Sequence, residues 1–159
     1  MKTYKLSNGM RVFIEKRPTQ SVAIEISIHA GSINEKENIL GISHFLEHLL
    51  FEGTAKRPNS MLITNEIEKL GGEINAATSN ERTFFYCKIP RKHFDKALDV
   101  LSDIVKNPLF KEESIEKERS IILDEINMVT DDPKFHQWVL IQKNLFSKHP
   151  AKNPVYGKK

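Results

Sequence analysis

A single cysteine, Cys87, stands among the 159 residues, so no disulfide can close within the chain and the composition suits a reducing compartment. Charge of one sign is equally scarce. Against 24 Lys and Arg there are 21 Asp and Glu, a net charge of +3. That field is too weak to argue for nucleic acid, and no basic stripe is interleaved with aromatics. Long hydrophobic runs are missing too, each apolar stretch falling short of the ~20 residues a bilayer-crossing helix needs. The opening MKTYKLSNGMRVFIEK is broken every few residues by Lys, Asn, Gly or Arg. It therefore lacks the apolar centre of a secretory signal. These absences lead us to expect a cytoplasmic protein with neither nucleic acid nor membrane among its partners. No repeat or low-complexity tract divides the chain, and residues 1–159 read as one domain.

What is present suffices for a core, with 39% hydrophobic and 28% charged residues. MRVFIEK reads as a strand after the turn Ser7–Gly9. In SVAIEISIH, Val22, Ile24, Ile26 and Ile28 alternate with Ala23, Glu25, Ser27 and His29, the period of a half-buried strand. A polar loop, GSINEKEN, leads into an apolar helix containing ISHFLEHLLF. A second helix is expected over Ser60–Leu70, stopped by Gly71 and Gly72. Two strands follow, EINAATS and TFFYCKI, with Pro90 closing the second. Phe94, Ala97, Leu98, Leu101 and Ile104 form one helical stripe ended at Asn107-Pro108. Further helices are expected over Glu112–Val129 and Pro133–Phe146, and the tail SKHPAKNPVYGKK is turn-rich. Strands precede most of the helices, which predicts an α+β fold: a mixed or antiparallel sheet with helices packed on one face.

The helix around GISHFLEHLLFEGT is apolar nearly all round, yet carries two histidines and a glutamate. His44 and His48, at i and i+4, project from one face, and Glu47 borders it. The pattern is His-x-x-Glu-His, the inverse of the more familiar zinc peptidase motif. Catalytic zinc takes three protein ligands and keeps one position open. Two histidines leave one ligand to be found. In ESIEKERSIILDEINMV the apolar face carries Ile115, Ile122, Ile126 and Val129. At about 100° per residue, Glu118 and Glu125 fall in that same arc, while Glu113, Glu116 and Asp124 fall outside it. Carboxylates on an apolar stripe are costly unless something positive meets them. A zinc ion is one such partner; for both Glu118 and Glu125 the alternative is an internal ion pair, for instance with Arg82 or Arg119, and it suits Glu118 best. His29, His93, His136 and His149 read as ordinary hydrogen-bonded core histidines. Cys87 has no histidine near it in sequence, and nothing points to a serine or cysteine nucleophile.

With these residues in view, the chain resembles the pitrilysin/insulinase family of zinc metallopeptidases, most closely the catalytic-type subunits of mitochondrial processing peptidase and their prokaryotic relatives. The matching blocks are GSINEKENILGISHFLEHLLFEGTAKRP, LGGEINAATSNERTFFYCKIP and NPLFKEESIEKERSIILDEI, in the family's order. The resemblance implies that His44, His48 and Glu125 bind one Zn2+ per chain and that Glu47 is the catalytic base. Glu118 matches the acid that helps position such sites and is grouped with the catalytic residues. The implied activity is endopeptidase cleavage of unstructured peptides. EINAATS, with small residues at Ala76 and Ala77, could let a second backbone approach an edge, or be an ordinary small-residue strand. By resemblance Asn75 and Ala76 are substrate contacts. The resemblance also implies that the chain matches the N-terminal part of one family domain and is incomplete at its C-terminus. Family enzymes join two domains around a chamber, so a partner chain or a second copy is expected to supply the other half. The alternative reading is a non-catalytic binding or scaffold subunit of the same fold. A zinc-stabilised structural domain would need a fourth protein ligand, for which the sequence offers no candidate.

Overall fold

The structure is a computed structural model and describes residues 1–158. Its chain is α+β, but its strands are divided between two antiparallel sheets. β1 (Lys2–Lys5) and β2 (Arg11–Ile14) form a hairpin in which Lys2 faces Ile14 and Lys5 faces Arg11. β1 was not among the sequence expectations, because KTYK carries no apolar alternation and only its pairing to β2 orders it. The turn between them is the expected one, with Gly9 at φ +87. The second sheet has the order β3-β5-β4, from β3 (Ser21–Ile28), β4 (Glu73–Thr78) and β5 (Thr83–Pro90). The segment holding Pro18 separates β2 from β3, and β3 instead pairs along its length with β5, Val22 opposite Ile89 and Ile28 opposite Thr83.

Helices α1 (Ile42–Phe51), α2 (Ser60–Glu68) and α3 (Phe94–Lys106) cover one face of this sheet. Period-two alternation places Phe85, Cys87 and Ile89 of β5 on that face, with Ile74 of β4 beside Cys87. They meet Ile63 and Ile67 of α2, Leu50 of α1, and Ala97, Val100, Leu101 and Ile104 of α3. α2 begins where Asn59 Oδ1 accepts from the Leu62 N–H at 2.9 Å, and the chain leaves it through Gly71 at φ +75. α4 (Glu112–Asp131) then packs along α1, and α5 (Pro133–Leu145) returns against α4. Asp132 caps α5, accepting from the N–H groups of Lys134 and Phe135. The expected boundaries thus hold to within a residue or two.

Below α1, Arg57 is buried at 5% exposure in the loop before α2. Its guanidinium meets Asp103 at 2.6 Å, Asp99 at 2.5 Å and the carboxylate of Glu66. Asp103 also accepts from the Thr54 hydroxyl at 2.6 Å, so one arginine ties the loop to α2 and α3.

The turn-rich tail is not peripheral. Asn153 and Gly157 are buried, and the chain there backs onto the residues that open α1. Gly41, the residue before α1, sits at φ +91, and a Cβ on it would lie 2.8 Å from the Tyr156 carbonyl oxygen. Both the backbone conformation and the space require glycine there. Gly41→Ala is therefore expected to destabilise the chain by about 2 kcal/mol or more, from left-handed strain plus the clash. Thermal melting of the two proteins checks this; an unchanged midpoint would mean that the tail does not seat against α1.

Candidate metal centre

α1 is held in register from its first turn. The Glu35 carboxylate accepts from the N–H groups of Gly41 at 2.7 Å and Ser43 at 2.8 Å. A carboxylate at a helix N-terminus satisfies free donors and complements the helix dipole. From that anchored helix His44 and His48 project side by side, ring centroids 4.7 Å apart and planes at 71°. α4 lies alongside and brings its acidic pair to them.

The two glutamates of α4 have different surroundings. Glu118 is buried at 5% exposure, and its Oε2 lies 2.9 Å from His48 Nδ1. A carboxylate oxygen accepts, so Nδ1 is the donor in this contact, and in the neutral ring that leaves the lone pair on Nε2. That Nε2 lies 3.9 Å from Glu125 Oε2, and His44 Nε2 lies 3.8 Å from the same oxygen. The Glu125 side chain is 41% exposed, more open than its place on the apolar arc suggested. Neither expected arginine reaches Glu118: Arg82 pairs with Glu25 and Arg119 with Glu116. Its second oxygen instead faces Lys117.

One ligand atom from each of His44, His48 and Glu125 falls within 4.8 Å of the others. Donors around a tetrahedral zinc at ~2.1 Å stand about 3.4 Å apart, so this set fits such an ion with little movement. The chemistry of the donors fits as well. Burial pushes the His44 imidazole below its usual pKa, against the opposing pull of Glu125, which favours the neutral ring that a metal requires. His44 Nδ1 is buried without a partner among the described residues, and Nε2 is the nitrogen that faces the cluster.

Glu47 borders the same face, half-buried, and its carboxylate accepts from the Thr78 hydroxyl at the end of β4. β4 is an edge strand, its other flank unpaired among the described residues, so Asn75 and Ala76 lie at the free margin of the sheet. There Asn75 Oδ1 accepts from the Ala76 N–H at 2.8 Å. The remaining histidines stay apart from the cluster and, contrary to expectation, none is a core residue: His29, His136 and His149 are exposed and His93 is half-buried. Sequence reading missed Glu35, Thr78 and Lys117 as participants. Each acts through a contact between segments remote in sequence or from a loop, where no periodicity marks it.

A sequence profile of the insulinase family, peptidase family M16, matches residues 11–159. The chain belongs to this family. Among curated relatives it is 38% identical over 158 residues to the uncharacterized zinc protease YmxG of Bacillus subtilis, covering 99% of this chain and 38% of that protein. To the beta subunit of mitochondrial-processing peptidase of Dictyostelium discoideum it is 42% identical over 120 residues, 76% of this chain and 26% of that one. The crystal structure of a protease from Helicobacter pylori superimposes with a TM-score of 0.88 at 25% identity, over 99% of this chain and 38% of that chain. This M16 chain therefore spans less than half the length of the relatives it matches. No helix among its described residues is long and apolar enough to cross a membrane.

Proposed function

We propose that this chain carries the metal-binding and proton-transferring part of a zinc-dependent endopeptidase, with one zinc held by His44 Nε2, His48 Nε2 and the Glu125 carboxylate. The observation that carries this reading is the convergence of those three ligand atoms within 4.8 Å, beside a carboxylate that is not part of the set. Zinc, when bound, lowers the pKa of a ligated water towards about 7 and polarises a carbonyl. The protein's own part is proton traffic and orientation. Glu47, one oxygen engaged by Thr78, accepts the proton of the attacking water and returns it to the departing amine nitrogen. Glu118 fixes the tautomer and rotation of His48, as outer carboxylates do for ligating histidines. It acts through His48 and is a positioning residue.

The substrate we propose is an unstructured peptide laid along the free edge of β4, where Asn75 and Ala76 would meet its backbone and Thr78 leads directly to Glu47. Its carbonyl would displace Asn75 from the Ala76 N–H. We place the chain in the cytosol and take residues 1–159 as one metallopeptidase domain that works together with a second, whether in a longer form of this chain, a partner chain or a second copy. The beta subunit among its relatives is by name one part of a larger assembly. A purely scaffolding role is less well supported, since it gives no use to a carboxylate held beside three ligand atoms.

The test is stoichiometric. The 159-residue chain is expected to take up one equivalent of zinc, and to lose it in His44→Ala, His48→Ala and Glu125→Ala, measured by competition with a chromophoric chelator. Zinc held equally well by all three variants would sink the assignment. A zinc-loaded chain that cleaves a pool of flexible quenched peptides is self-sufficient. One that holds zinc and cleaves nothing needs its partner half.

A further inference from the structure

The ion pairs behind the metal centre do not end at Glu118. Its Oε2 takes the Nδ1–H of His48, while its Oε1 lies 3.5 Å from the Lys117 ammonium. That ammonium is in turn fixed at 2.8 Å by Glu52 Oε1, just past the end of α1. The Glu52 side chain is only 12% exposed. Burial pushes its carboxyl up, but the hydrogen bond and charge of Lys117, together with hydrogen bonds to Ser114 and Glu118, outweigh it and leave it below the usual value. Four side chains thus run in line, His48, Glu118, Lys117 and Glu52, crossing from α1 to α4 and back.

A buried carboxylate that faces only a neutral imidazole N–H is under-compensated, because a hydrogen bond from an uncharged donor does not replace lost hydration of a full charge. Lys117 is the only Lys or Arg within ion-pair distance of Glu118 among the described residues. We propose that Lys117, anchored by Glu52, is a positioning residue of the metal centre: it holds the Glu118 carboxylate against His48, so that His48 presents Nε2 to zinc. This rests on the ligand reading above and extends it to two residues outside the ligand set. The geometry also explains why Lys117 should keep a defined position although its side chain is 56% exposed. It bridges two carboxylates on different helices, and an isolated surface pair would have no such reason to persist.

The test uses zinc itself, competed against a chromophoric chelator, on the full chain. Lys117→Met is expected to weaken zinc binding about tenfold, the lower end of what outer residues of metal sites contribute. Lys117→Arg is expected to restore most of that affinity, since it keeps a cation within reach of both carboxylates. Lys117→Met is also expected to lower the melting temperature of the metal-free protein, since it leaves Glu118 and Glu52 without their cation, and Lys117→Arg to restore it. The Glu118→Gln background separates action through Glu118 from a general structural defect. In a Glu118→Gln background the further change Lys117→Met should have almost no effect on zinc, because the group it acts through has lost its charge. Lys117→Met holding zinc as tightly as the unaltered chain would overturn the proposal, as would an undiminished loss in the Glu118→Gln background. His48→Ala run beside them separates the two levels. If it loses zinc while Lys117→Met keeps it, only this inference fails; if it keeps zinc, the ligand set fails too.

Discussion

Glu47→Gln is expected to leave zinc uptake intact and to lower the rate of peptide hydrolysis by about 10²–10⁴-fold. The amide has nearly the shape of the carboxylate and can still accept from the Thr78 hydroxyl, so α1 and the end of β4 keep their contact. It cannot take a proton from water at neutral pH. Because Glu47 lies outside the group formed by His44, His48 and Glu125, its change should not disturb the metal. The two readouts are zinc content by chelator competition and turnover of a quenched flexible peptide, both on the zinc-loaded protein. Where the chain needs its partner half, the comparison is made in the reconstituted pair. Undiminished turnover would assign the base to another residue. Loss of zinc would mean that Glu47 belongs to the ligand set.

The largest effect on stability is expected at Arg57. Arg57→Met removes the only cation in contact with Asp103 among the described residues, a carboxylate 3% exposed, and leaves it buried without charge compensation. Breaking such a pair from one side costs about 3–5 kcal/mol. For a chain of this length that corresponds to a fall in melting temperature on the order of 10 °C. Arg57→Lys should recover only part of it, since a single ammonium cannot serve carboxylates on α2 and α3 in the planar fork that the guanidinium presents. Urea unfolding of the three proteins measures this, and a loss under about 1 kcal/mol for Arg57→Met would show the cluster to be a surface-like pair.

The same cluster has a pH signature. Asp99 is held below the usual carboxylate range by hydrogen bonds from Arg57 and Lys56. Burial pushes Asp103 up, but hydrogen bonds from Thr54, Asn107 and Arg57 outweigh it and bring it below that range. Groups with depressed folded-state pKa values stabilise above the unfolded value, about 3.9 for aspartate, and stop doing so as pH falls through the folded value. The stability that these two aspartates lend the unaltered chain should therefore be complete near neutrality and be lost only below about pH 4, as urea unfolding at a series of pH values would show.

Much of this protein is legible in its amino-acid order, because it depends on local periodicity. The strand alternation of SVAIEISI and the stripe Phe94, Ala97, Leu98, Leu101, Ile104 each declare an element through its own neighbours. His44 and His48 share a face because they are one helical turn apart, whatever surrounds them. The arc of α4 likewise marks both Glu118 and Glu125 as unusual. Only the packing of α4 on α1 gives them separate environments, Glu118 buried against His48 Nδ1 and Glu125 half-open towards both Nε2 atoms. The strand KTYK has no pattern of its own and is ordered by its partner. The hydroxyl of Thr78 on Glu47, the line from Glu118 through Lys117 to Glu52, and the Arg57 cluster all join segments far apart in sequence. Periodicity reports which face of an element avoids water, and that property belongs to the element alone. Which charged or polar atom meets which belongs to the pairing of two elements, and is decided only when their buried faces close and the groups trapped between them have to satisfy one another.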